Sequence, residues 1–158
     1  MQYAVRSAYA ALMRFVAGYD PADLTIRSVV GGMTAADLGA MDGVKVIREV
    51  SDGNSGRGVL VETARYAAFD AFVKELGRHA GAVLLEAAGN HRILVTIVAP
   101  EGGDATLATT AGVAIFYLPI QSAPGSQRIG IDMPIRLLVQ DVKGFEAAGY
   151  KFEHAYDY

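Results

Sequence analysis

The chain has 158 residues, 52% of them hydrophobic and 20% charged, too apolar for a disordered segment and of a size for one domain. It has no cysteine, which excludes disulfides, iron–sulfur clusters, thiol catalysis and thiolate-bound zinc. Its 14 basic and 17 acidic side chains leave a net charge of −3, a balance that disfavours nucleic acid as the main partner.

Residues 3–17 carry Val5, Tyr9, Leu12 and Val16 at helical spacing, so an N-terminal helix is predicted. Arg14 interrupts its apolar run, which is too short to span a bilayer and lacks a signal-peptide cleavage site. No membrane span is expected. If Met1 is the native start the expected location is cytoplasmic; a leader removed ahead of it would imply a periplasmic or anchored protein.

Leu24 to Val30 alternates as a strand, and Gly31-Gly32 ends it. Thr34 is a candidate N-cap, with Asp37 three residues on, for a short helix through Ala40. Val44–Val50 and Val59–Thr63 read as a hairpin around the long Gly/Ser-rich turn 51–58. That turn leads into a strand, so it is not a phosphate-binding loop opening a helix, and Arg57 and Thr63 stand where an EF-hand needs Gly and Glu.

Residues 65–79 form the clearest helix, with Phe69, Phe72, Val73 and Leu76 as its apolar stripe. Val83–Ala87 and Ile93–Val98 are strands, and Gly89-Asn90 between them suggests a tight hairpin whose positive φ values fall on those two residues. Residues 100–110 lack a pattern. Val113–Ile120 and Arg128–Asp132 are strands around Ala123-Pro124-Gly125. Pro134 opens a helix to about Ala148 with Ile135, Leu138, Val142 and Phe145 buried, and Tyr150–Tyr156 is a final strand.

The order strand, turn, strand, helix, glycine, strand occurs twice, over 43–89 and 112–158, with Arg57 and Arg128, Glu62 and Asp132, and Phe72 and Val142 as chemical matches. The expected architecture is one α+β domain over 1–158, a ferredoxin-like layered sandwich. It has a mostly antiparallel sheet, two amphipathic helices on one face, a duplicated strand-strand-helix-strand unit and the N-terminal helix. The face carrying Val113, Ile115, Tyr117 and Ile120 should meet that helix or a second subunit.

Candidate chemistry is sparse. His154 is a candidate general base with Glu153 and Tyr156 beside it, and simple alternation places Phe152, His154 and Tyr156 on one strand face. His91 and Asn90 are candidate ligand contacts at the turn, with His154 and Tyr117 on strand faces. His79 lies near a helix C-terminus, where a cation is favoured. The three histidines show no metal-ligand spacing, no Gly-x-Ser-x-Gly elbow is present, and neither a metal nor a cofactor is expected. The expected function is a non-catalytic binding or interaction domain. It would use an apolar sheet face or strand edge for self-association as a homodimer, a protein partner or a small apolar ligand. The alternative is a small-molecule enzyme using acid–base chemistry centred on His154.

Overall fold

A computed structural model describes residues 24–52, 56–104 and 109–156. The expected N-terminal helix 3–17, and Asp157 and Tyr158, lie outside the described residues. The described elements run β1 (Thr25–Gly31), α1 (Ala35–Gly39), β2 (Lys45–Asp52), β3 (Gly56–Ala64), α2 (Ala67–Leu76), β4 (Val83–Ala87), β5 (Arg92–Pro100), β6 (Val113–Pro119), β7 (Ser126–Pro134), α3 (Ile135–Ala147) and β8 (Lys151–Tyr156). Among the described residues no helix is long and apolar enough to cross a membrane.

The protein is α+β, but the expected single sheet is two. One antiparallel four-stranded sheet has the order β2-β3-β1-β4 and the other the order β6-β7-β5-β8. The expected hairpin of β4 with β5 does not form. Ala87 and Asn90 exchange backbone hydrogen bonds across a two-residue turn, and the chain then parts, β4 pairing with β1 and β5 with β7 and β8. The positive φ values in that turn belong to Ala88 (50°) and Gly89 (81°), not to Asn90. Two successive left-handed residues give the sharp reversal. They leave the onward strand free to seek pairing elsewhere.

The short α1 begins as the sequence implies. The Thr34 hydroxyl accepts from the Asp37 amide at 3.1 Å and the Asp37 carboxylate accepts from the Thr34 amide at 3.3 Å, a reciprocal cap that satisfies two otherwise orphaned donors. Leu38 is then fully buried. Gly32, just before it, has φ +76°, and a Cβ there would lie 1.9 Å from the Gly81 carbonyl oxygen, so backbone touches backbone at this junction.

The two sheets and two longer helices share one core. The alternating inward residues of the first sheet, among them Ile26, Val30, Val59 and Val61, join those of the second, among them Val95, Ile97, Ile129 and Ile131. Between them pack the apolar stripes of α2 (Phe69, Phe72, Val73, Leu76) and α3 (Ile135, Leu138, Val142, Phe145), at the spacing read from the sequence. The halves also cross over at their edges. The α3 helix runs beside β4, the edge strand of the first sheet. On the other side α2 reaches β8, the edge strand of the second, where the Asp70 carboxylate accepts from the Ala155 amide at 2.9 Å. Each half thereby covers an edge that would otherwise expose unpaired backbone groups.

The registers of the two sheets agree in their irregularities. One extra residue bulges from each outer strand at the same step, Ile47 in β2 and Ile115 in β6. A second bulges from each fourth strand, Leu85 in β4 and Glu153 in β8. The bulge at Glu153 corrects the expected alternation of β8. Phe152 points inward and is 2% exposed, while His154 pairs across from Thr96 and turns to the opposite face with Tyr156.

The crossovers differ. In the first half α1 occupies the β1–β2 connection, whereas the described residues between β5 and β6 form no helix. They are tied instead to α3. Asp141, 2% exposed, accepts from the Thr109 hydroxyl (2.6 Å), the Thr110 amide (3.0 Å) and the Thr110 hydroxyl (2.9 Å). A carboxylate can be buried there because three donors replace its water.

Candidate functional site

On the outer face of the first sheet, away from the core, the register aligns Arg48, Leu60, Val29 and Glu86 in one row across β2, β3, β1 and β4. The next outward row contains Val50, Gly58 and Gly31, with the two glycines directly opposite each other. Removing two side chains side by side lowers the floor. The bulged Leu85 leans over the hollow, since a Cβ on Gly31 or Gly58 would come within 3.2 or 3.3 Å of its Cδ1. Glycine inside a strand marks such an approach.

The result is an open trough of about 300 Å³ with Val29, Val50, Leu60 and Leu85 as its apolar part. That is the lower end of small-molecule pocket volumes, about 300–1,000 Å³. Its polar rim comes from distant parts of the chain. Arg48 stands on the outer strand, and Arg136, in the first turn of α3, stands on the far side beyond β4. Both are exposed, and neither makes an ion pair or side-chain hydrogen bond among the described residues. His91 lines the same trough. Its backbone carbonyl accepts from the Ile135 amide at 2.9 Å, which fastens the link between the halves to the start of α3, and its Nδ1 lies 3.4 Å from the Leu85 carbonyl.

The corresponding face of the second sheet is closed. By register Phe116, Gly130, Thr96 and His154 occupy the places of Arg48, Leu60, Val29 and Glu86. Phe116 lies directly on Gly130, where a Cβ would come within 2.2 Å of its ring. Arg128 replaces Gly58 and makes a bidentate ion pair with the bulged Glu153, which replaces Leu85. Hydrogen bonding to Arg128 holds the Glu153 carboxyl below the usual glutamate range against the opposing effect of burial, and the same bond raises Arg128.

His154 is on this second face. Its Nδ1 is 2.7 Å from the Asp70 carboxylate of α2, with the two side chains only 19% and 13% exposed. A carboxylate at that distance takes the Nδ1–H as its donor, and in the neutral ring this leaves Nε2 as the acceptor. Tyr66 stacks over the imidazole at 6.3 Å between ring centroids, and Tyr156 meets it edge-on at 4.5 Å. Tyr66 has φ 61° and ψ −126°, a region costly for a residue with a Cβ, and precedes the first turn of α2.

The sequence-read candidates therefore separate into two places. His154, Tyr156 and Glu153 come together on the second sheet, whereas His91 belongs to the trough on the first. Asn90 sits in the adjacent turn and does not line the trough. Tyr117 lies on the far outer strand β6, where Val113, Ile115, Tyr117 and Leu118 are each about half exposed. His79 is 3.8 Å from Glu75 on the helix surface. Sequence reasoning missed Asp70, Tyr66, Arg48 and Arg136, which lie far along the chain from the histidines they join. Gly31 and Gly58 were the available signal, as glycines within otherwise apolar strands. Among the described residues no group of three or more His, Asp or Glu is arranged to hold a metal ion. Comparisons with protein-family models, with curated proteins and with solved structures find no match.

Proposed function

We propose that the protein is a non-catalytic binding domain built from two fused ferredoxin-like units, and that it takes a small, largely apolar ligand on the outer face of its first sheet. Each half runs strand, crossover, strand, strand, helix, strand with the same sheet order and the same two bulges, which supports descent from a duplicated unit that also includes β1 and β5. A duplicated unit supplies two equivalent faces. The observation that carries the functional reading is their divergence. Phe116 and the Arg128–Glu153 pair cover the second face, while Gly31 and Gly58 leave an open trough with an apolar floor on the first.

The test is titration of the full chain with N-phenyl-1-naphthylamine, a neutral apolar fluorophore that brightens on leaving water. Saturable brightening is expected, and Leu60→Trp, which fills the trough from a half-buried outward position, should abolish it while the unfolding midpoint is retained. Saturable brightening that Leu60→Trp leaves intact would place the ligand elsewhere and overturn the reading.

A second reading, acid–base catalysis at His154, is favoured by the Asp70 contact, which orients the imidazole as catalytic bases are oriented. It requires that His154→Gln abolish a turnover that Arg48→Gln leaves unchanged.

A further inference from the structure

Resting on the ligand-binding reading above, we infer that the trough selects a small monoanion with an apolar body, a carboxylate or sulfonate attached to an aromatic or short aliphatic group. The argument is a charge count at one site. Arg48 and Arg136 enter from opposite rims, Glu86 lies in the same row, and among the described residues no other Asp, Glu, Lys or Arg lines the trough. Two guanidiniums against one carboxylate leave one positive charge in excess, which suits one anionic head and not two.

Among the described residues the two guanidiniums also have no acidic partner, in contrast to Arg27, Arg92 and Arg128, each of which is paired with Glu62, Asp132 or Glu153. An unpaired arginine over an apolar floor offers planar, bidentate hydrogen bonding to a carboxylate or sulfonate. The floor formed by Val29, Leu60 and Leu85 then receives the apolar body. Arg136 belongs to the second half of the chain, so the anionic head would bridge the halves.

The test compares two probes with the same apolar body on the full chain, 1-anilinonaphthalene-8-sulfonate and the neutral N-phenyl-1-naphthylamine. The sulfonate is expected to bind about ten-fold more tightly, the worth of one charge-assisted contact. Arg48→Gln and Arg136→Gln, at exposed positions, should each weaken the sulfonate by about the same factor and leave the neutral probe within about two-fold. Arg78→Gln, on the surface beyond α2, should change neither. Octanoate should displace the sulfonate, and octanol should do so far less well. Equal binding of the two probes, or indifference of the sulfonate to both trough arginines, overturns the anion inference and leaves the apolar site standing. If neither probe binds, or Leu60→Trp leaves both bound, the ligand-binding reading falls with it.

Discussion

Asp70, one turn into the helix of the first half, holds His154 on the last strand of the second at 2.7 Å while its other oxygen accepts from the Ala155 amide at 2.9 Å. One carboxylate thus orients a side chain and satisfies an edge-strand donor that no neighbouring strand can reach. Asp70→Ala should lower the unfolding free energy by about 2 kcal/mol, in the range for hydrogen bonds to charged groups, as measured by urea denaturation. Asp70→Asn retains an acceptor for the amide and should cost less. An unchanged midpoint in Asp70→Ala would mean that the contact contributes nothing to joining the halves.

The backbone contact between Gly32 and Gly81 is equally specific. Gly32→Ala combines a positive φ with a Cβ 1.9 Å from a carbonyl oxygen, so backbone must move. A loss above about 3 kcal/mol is expected. Gly43 has a similar φ of +71° but nothing within 4 Å of its Cβ, and Gly43→Ala should cost only the conformational strain, about 1 kcal/mol. Thermal unfolding of the pair checks the difference; equal losses would show that the close approach is not formed.

On the first sheet two buried hydroxyls have no visible use among the described residues. Ser28 and Thr63 are 1% and 4% exposed, and their hydroxyls have no hydrogen-bond partner among the described residues. Thr63→Val keeps the shape and removes the buried hydroxyl, so it should stabilise the protein by about 1 kcal/mol. A destabilised Thr63→Val would reveal a partner for that oxygen.

Asp141 predicts the opposite sign. Its carboxylate is buried with three donors, and Thr109→Val together with Thr110→Val would remove two of them. The double variant should lose about 3 kcal/mol or more, because an under-solvated charge remains. Adding Asp141→Leu should restore part of that loss. Strictly additive effects in this cycle would rule out the coupling on which the account depends.

Acid stability should depend on the Glu153–Arg128 pair. The Glu153 carboxyl is depressed in the folded protein, chiefly by its hydrogen bonds to Arg128. A depressed folded value stabilises the fold above the ordinary glutamate value of 4.5, and this contribution is lost as pH falls through the folded value. Glu153→Gln should therefore flatten the stability profile below about pH 4.5 and shift it little in shape near neutrality. A profile that keeps its full acid slope assigns that slope to other carboxylates, such as Glu62, which Arg27 depresses in the same way.

The local elements of this protein were legible in its sequence. The stripes Phe69-Phe72-Val73-Leu76 and Ile135-Leu138-Val142-Phe145 name the buried sides of α2 and α3, and Thr34 with Asp37 marks the start of α1. These features depend on residues within one or two turns of each other, which is the range over which helical periodicity and capping act. The repetition of element order was legible too, and of its chemical matches the register aligns Glu62 with Asp132. The register sets Gly58, not Arg57, opposite the role of Arg128.

Only the tertiary structure decided which strands pair and where alternation fails. β4 and β5 are apolar and joined by a tight turn, so local signals favour a hairpin. The pairing of β4 with β1 and of β5 with β7 wins because each completes a four-stranded sheet over a common core. The bulges at Ile47, Leu85, Ile115 and Glu153 appear only when a partner strand is present, since a bulge is defined by two residues facing one. That is why Phe152 and His154, two apart in sequence, lie on opposite faces, while the parting of β4 and β5 puts His91 on the trough lined by Arg48 and Arg136 and away from His154. Patterning along a chain fixes what each segment can bury, while the partner it buries against depends on contacts distant in sequence, whose free energy no local pattern contains.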